Sequence, residues 1–177
     1  MARSRYNIFD TSQPYFLTCT VVQWLKLFDN KDLRKVIVDS LNFITKHHRL
    51  QIYAYVIMPN HLHLIALSEQ LSKEIASFKS FTARNIIDTL KSQNENRILQ
   101  ILAECKLKFK HDRTYQIWQE GSHPQEIQNE TMMHQKIEYI HYNPVRAGCI
   151  EEPLEWTYSS ARDYNGIKGP IEVKTEW

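Results

Sequence analysis

The sequence predicts an α/β or α+β sandwich, in which helices cover a β-sheet. Segments of strand length, rich in aromatic and β-branched residues, alternate with longer segments whose apolar residues recur at helical spacing. The 177 residues, 42% hydrophobic and 24% charged, have the composition of a globular protein and suffice for one sizeable core. No repeat or linker-like segment divides residues 1–177, so we expect a single domain.

Three segments in the first half of the chain are predicted strands, because aromatic and β-branched residues dominate them: residues 15–22, 51–57 and 61–67. Pro59 and Asn60 predict a turn between the last two strands. Apolar stripes at helical spacing predict two helices: residues 31–47 and 71–91. Asn30 offers an N-cap oxygen to the first helix. We expect the polar residues 1–13 to form an N-terminal arm.

The second half of the chain begins with a predicted short helix over residues 94–104. A basic stretch follows over residues 106–113, with charges that alternate with apolar residues at strand spacing. Residues 115–118, which include Tyr, Ile and Trp, suggest a fourth strand, and we expect Gly121 and Pro124 to end it. Residues 115–118 bring the predicted sheet to about four strands.

Charge and cysteine content narrow the class of protein. A net charge of +2 and a pI of about 8.4 are compatible with nucleic-acid binding but do not argue for it. No apolar run is long enough to span a membrane, and no secretory signal pattern opens the chain, so we expect a cytoplasmic protein without a membrane partner. The widely spaced Cys19, Cys105 and Cys149 argue against a disulfide framework and a cysteine zinc site.

Two histidines stand one residue apart in the third predicted strand. His61 and His63 point to the same face because side chains alternate along a strand, and they lie roughly 6.5–7 Å apart. Both imidazoles could therefore lean onto one metal ion. The alternative is a pair of surface histidines on a half-exposed strand, and the spacing alone leaves both interpretations open.

A predicted helix near the carboxyl end carries a second group of polar residues. It begins near residues 129–131, and Pro144 is expected to end it because the residue before a proline is disfavoured in a helix. Tyr139 and Asn143, four residues apart, share one face of this helix. We expect residues 144–177 to form a C-terminal tail.

Tyr139 and Asn143 offer an oxygen nucleophile and a neutral carbonyl ligand. Asn143 together with His61 and His63 would give one divalent cation three neutral ligands, which leaves its full charge to act on an anionic phosphodiester. Tyr142, on the flank of the same helix, is the rival nucleophile. The alternative role for Tyr139 is that of a half-buried aromatic whose hydroxyl finds a structural partner.

Three stretches of the chain resemble a known family. They run from Tyr55 to Ile65 (YVIMPNHLHLI), from Tyr139 to Gly148 (YIHYNPVRAG) and from Trp156 to Tyr164 (WTYSSARDY). In this order they resemble the HUH-class single-strand DNA tyrosine transposases, named for two histidines around a hydrophobic residue. Within that class they are most similar to the REP-associated tyrosine transposases.

The resemblance implies a ferredoxin-like α+β fold, with a central antiparallel sheet flanked by helices. It implies that His61 and His63 bind Mg²⁺ or Mn²⁺ and that Tyr139 is the nucleophile. Attack on single-stranded DNA would give a 5′-phosphotyrosine intermediate and a free 3′-hydroxyl, at palindromic sequences folded as hairpins. Asn143 stands where related transposases often carry a glutamine, so its shorter amide would bind the metal directly or through water.

Several alternatives stay open at this stage. The chain could be a domesticated protein that binds DNA hairpins without cutting them, or a metal hydrolase that uses water while Tyr139 is structural. The active site could be assembled within a monomer or shared in a homodimer. Lys79, Arg84 and Arg146 are the candidate DNA-contacting cations, because backbone phosphates attract basic side chains.

Overall fold

Four strands form one antiparallel sheet in the computed structural model, which describes residues 12–107 and 114–177. Within those ranges the strands are β1 (Tyr15–Thr20), β2 (Gln51–Ile57), β3 (His61–Leu67) and β4 (Gln125–Glu126). The helices are α1 (Lys31–Lys46), α2 (Leu71–Ser92), α3 (Asn96–Glu104) and α4 (Glu130–Arg146). The spatial order β2-β3-β1-β4 is that of a ferredoxin-like fold, which confirms the predicted α+β class.

The register of β1 against β3 decides which side chains share a face of the sheet. Thr18 lies opposite His63, and Thr20 lies opposite His61. Because side chains alternate, Phe16 projects to the same face as the two histidines. Leu62 and its alternating neighbours project to the other face.

Each face of the sheet has its own apolar core. On one face α1, α2 and α3 pack against strand residues that include Leu17, Tyr55 and Leu62. On the other face α4 packs through its buried apolar side chains (Met133, Ile137 and Ile140) against the sheet (Phe16, Val56 and Ile65). The histidine face is therefore the face that α4 covers. In the described ranges the structure contains no helix long and apolar enough to cross a membrane.

Side-chain caps explain where α1 and α4 begin. The Oδ1 atom of Asn30 accepts hydrogen bonds from the backbone amides of Asp32 and Leu33, which confirms the predicted N-cap of α1. The Oδ1 atom of Asn129 accepts from the amide of Met132 in the same manner at the start of α4. Both helices thus begin at the residues that the sequence indicates.

The prediction of a strand over residues 115–118 was wrong. Trp118 makes only an isolated bridge to Val21, and the fourth strand is the short Gln125–Glu126, which follows Pro124 directly. The apolar pattern reflects burial, because Trp118 is buried and its indole N–H donates to the hydroxyl of Thr82 on α2. Residues 1–11 of the predicted arm and residues 108–113 of the basic stretch lie outside the described residues.

The prediction that Pro144 ends the last helix was also wrong, because α4 continues to Arg146. In the last helical turn, the missing amide hydrogen of Pro144 removes a single helical hydrogen bond, to the carbonyl of Ile140. The amide of Ala147 closes the helix on the carbonyl of Asn143. Pro144 is buried.

The segment after α4 runs along β2 on its open edge. Ser159 bridges to Val56, and the amide of Ile57 donates to the carbonyl of Tyr158. The hydroxyl of Ser160, fully buried, accepts from the amide of Tyr55 at 3.0 Å and lies 2.9 Å from Nε2 of His141 on α4. One hydroxyl therefore joins the strand to the helix.

We expect Ser160→Ala to lower the free energy of unfolding by about 1–3 kcal/mol, because the buried amide of Tyr55 and the half-buried imidazole of His141 lose their partner. Urea denaturation measures the change. Ser92→Ala is the matched control, since its exposed hydroxyl bonds only to a carbonyl of its own helix, and it should change stability by less than about 0.5 kcal/mol. Equal effects of the two substitutions would contradict this role of Ser160.

Candidate active site

His61 and His63 form the centre of the site, at the first and third positions of β3. Their ring centroids lie 4.7 Å apart, with the ring planes at 75°. The two imidazoles are therefore close enough for one ion to contact both, as the alternation along the strand predicts.

His63 is held neutral and in a fixed orientation. Only 5% of it is exposed, and burial lowers the pKa of its imidazole to about 3, with smaller contributions from the charges of His61 and Lys136. Its Nδ1 atom lies 2.9 Å from the hydroxyl of Thr18, and its ring stacks on Phe16 at 5.3 Å. A hydrogen bond from Nδ1–H to Thr18 leaves Nε2 with a free lone pair, the form in which histidine binds metals.

His61 is fixed by the turn that precedes β3. Its Nδ1 atom lies 2.7 Å from Oδ1 of Asn60, whose Nδ2 donates to the carbonyl of Trp24. Because Asn60 donates through nitrogen, its oxygen accepts the proton of Nδ1, so the lone pair of a neutral His61 lies on Nε2. Burial lowers the pKa of His61, and a side-chain hydrogen bond with Asn143 opposes that shift.

Tyr139 meets this pair from α4. Its ring packs edge-on against His63, with centroids 5.3 Å apart, and against Phe16 at 5.8 Å. The side chain is 36% exposed, so the phenol is accessible from solvent. The guanidinium carbon of Arg146 lies 5.5 Å from the centroid of the Tyr139 ring. The structure thus brings the predicted nucleophile and one predicted DNA-contacting cation to the two histidines.

The other two predicted DNA-contacting cations lie elsewhere. Lys79 and Arg84 are on α2, which packs on the opposite face of the sheet. The ammonium of Lys79 donates to the carbonyls of Gln119 at 3.1 Å and Gly121 at 2.6 Å, so it holds that loop. A DNA contact through Lys79 or Arg84 stays a prediction, and it would be remote from the histidines.

Several residues of the site escaped the sequence-based prediction. Thr18 and Phe16 belong to it through the register of β1 against β3, which the spacing of polar and apolar residues does not reveal. Lys136, one turn before Tyr139, places its ammonium 4.6 Å from the centroid of Phe16 and donates to Gln125. Its three-residue distance from Tyr139 on a helix is the signal that could have found it.

The donor set suits a divalent cation. Among the described residues, no three His, Cys, Asp or Glu side chains form a group that could hold a metal. Two neutral imidazoles and the amide of Asn143, which hydrogen-bonds to His61, nevertheless offer three neutral donors. Imidazole nitrogen and amide oxygen are ligands for Mn²⁺ and Mg²⁺, with imidazole favouring Mn²⁺. The residues therefore fit the metal that the resemblance implies.

Comparison with known proteins finds a relative by sequence. A Haemophilus influenzae protein is 26% identical to this chain over 119 residues, which cover 65% of the chain. That protein is named as a REP-associated tyrosine transposase. It confirms the resemblance that the three motifs carry. The match spans 61% of the relative's own length. No protein-family model matches the chain.

The fold is also that of a solved transposase. The structure of a REP-associated tyrosine transposase bound to a REP hairpin superposes with a TM-score of 0.62 and 20% identity, covering 100% of this chain and 94% of that one. At this identity the superposition shows a shared fold. A structure named as a transposase, from Deinococcus radiodurans, matches with a TM-score of 0.47 and 16% identity over 79% of this chain and 95% of that one.

We expect Thr18→Val to weaken Mn²⁺ binding about 10- to 100-fold, because the substitution keeps the shape of the side chain and removes the partner that orients His63. Isothermal titration of the protein with Mn²⁺ measures the affinity. The control is Thr20→Val, since Thr20 pairs with His61, whose Nδ1 atom bonds to Asn60. Wild-type affinity in Thr18→Val would contradict the orienting role.

Proposed function

We propose that this protein is a metal-dependent transposase that cuts and rejoins single-stranded DNA at hairpin-forming sequences. The observation that carries the proposal is the contact between the Tyr139 ring and His63, which unites a candidate nucleophile with a pair of candidate metal ligands. The similarity to a REP-associated tyrosine transposase supports the same activity. The hairpin in the complex of the structural neighbour supports hairpin DNA as the partner.

Tyr139 is the nucleophile in this proposal. Its phenol oxygen loses a proton to solvent and forms a bond to phosphorus, while the bond from phosphorus to the 3′-oxygen breaks and that oxygen takes up a proton. The products are a 5′-phosphotyrosine and a free 3′-hydroxyl. A 3′-hydroxyl from another strand reverses the step, so rejoining needs no external energy source.

His61, His63 and Asn143 would hold the cation. When bound, the cation supplies the positive charge that polarises a phosphodiester and offsets the charge of the transition state. The protein contributes orientation, because Thr18 and Asn60 fix the two imidazoles. Arg146, beside the Tyr139 ring, adds a cation for the anionic phosphate.

Tyr139→Phe should abolish the covalent protein–DNA adduct, because it removes the attacking oxygen and keeps the ring that packs against His63. The measurement is a denaturing gel of the full chain incubated with Mn²⁺ and a labelled DNA hairpin flanked by single strands. Tyr142→Phe, an equally exposed position on α4, is the control and should retain the adduct.

Other outcomes of this experiment separate the alternatives. An undiminished adduct in Tyr139→Phe, lost in Tyr142→Phe, would assign the nucleophile to Tyr142. Cleaved DNA without attached protein would indicate a hydrolase that uses water. Hairpin binding without cleavage in the presence of Mn²⁺ or of Mg²⁺ would indicate a DNA-binding protein that has no strand-transfer activity.

A further inference from the structure

We propose that Trp24 is a stacking platform for an unpaired base of the DNA strand that is cut, next to the phosphate that reacts. The proposal rests on the proposed function, since it assumes that single-stranded DNA reaches the histidines. Trp24 belongs to none of the three motifs and lies between β1 and α1.

Trp24 is unusually exposed for its size and lies at the edge of the site. Its side chain is 58% accessible to solvent, and its ring centroid lies 6.1 Å from that of His61, edge to face. A large aromatic ring that stays exposed beside a polar site is available to a ligand. Because His61 is a proposed ligand of the cation, a phosphate bound there carries its nearest nucleoside towards this ring.

The backbone holds Trp24 in a conformation that its side chain disfavours. Gln23 and Trp24 both have positive φ angles, 53° and 54°, in the left-handed region where bulky residues are rare. Two consecutive residues of this kind persist only where the surrounding structure fixes them. The fixed, strained conformation presents the indole to solvent next to His61.

The segment that carries Trp24 is tied to the turn before His61. The amide of Val21 donates to the carbonyl of Asn60, and the amide of Phe28 donates to the carbonyl of Pro59, both at 2.9 Å. Asn60 contacts the Trp24 carbonyl and the His61 ring with one side chain. The indole and the imidazole are therefore positioned together before DNA binds.

An unpaired base is the ligand that this arrangement fits. Bases stack on aromatic rings through a π-face that every base has, so such a platform tolerates any sequence. A fully paired stem keeps its bases stacked on one another and offers no face to the indole. The platform would therefore contact the single-stranded flank of a hairpin.

The test compares binding of a short oligothymidylate by the full chain and its variants, using fluorescence anisotropy. Trp24→Ala should weaken binding about 5- to 150-fold, the range that stacking of one base supplies. Trp24→Phe should recover most of the affinity. Phe81→Ala is the control, because Phe81 is 55% exposed on α2, which packs on the other face, and it should bind like wild type.

A second variant separates binding from folding. Trp24→Gly removes the ring and adopts the left-handed conformation without its steric cost, so its Tm should equal or exceed that of wild type while its affinity falls as in Trp24→Ala. If Trp24 had only a structural role, Trp24→Gly would instead lower the Tm. Abasic residues in the oligomer should bring the wild type down to the affinity of Trp24→Ala.

The outcomes distinguish this inference from the proposed function. Equal affinities of wild type and Trp24→Ala, with the covalent adduct still formed on hairpin DNA, would overturn the platform and leave the transposase proposal standing. A wild type that neither binds oligothymidylate nor forms the adduct would overturn both.

Discussion

The packing of α4 on the histidine face of the sheet is the interaction on which the site depends. Met133, Ile137 and Ile140 bury their side chains against apolar residues of β1, β2 and β3. Each buried side chain of this size contributes about 1.5–3 kcal/mol, so the apolar stripe is the main anchor of the helix. Tyr139 adjoins Ile140 in the sequence, and anchoring that residue carries the tyrosine to His63.

The same packing removes water from one end of the histidine pair. His63 lies under α4 and keeps a neutral imidazole because a charged one would be poorly solvated there. Tyr139 stays partly exposed at the margin of the helix. The site therefore combines a dry side, which keeps His63 neutral, with an open side that solvent and ligands can reach.

Two segments outside the helices hold the strands and α4 in place around the site. The segment after α4 bonds along β2 and reaches back to α4 through Ser160 and His141. The segment before α1 bonds to the turn at Pro59 and Asn60. These hydrogen bonds hold the strand, the helix and the turn in position relative to one another.

The sequence by itself determined most of the helices and strands and the residue types of the candidate site. Periodicity and caps predicted α1, α2 and α4, and the alternation of side chains in β3 placed His61 and His63 on one face, because these properties depend on neighbouring residues. The nature of the groups, two imidazoles, a phenol and an amide, followed from residue identity. The family resemblance added the ferredoxin-like topology, which no local pattern specifies.

Only the tertiary structure decided which distant residues meet. The register of β1 against β3 places Thr18 and Phe16 beside His63. Lys79 is remote from the histidines because α2 packs on the other face of the sheet. A buried loop can have the apolar pattern of a strand, which is why residues 115–118 were wrongly predicted as one. A proline in the last helical turn removes too few hydrogen bonds to end α4. Burial and long-range pairing are properties of the folded chain, and no local stretch of sequence carries them.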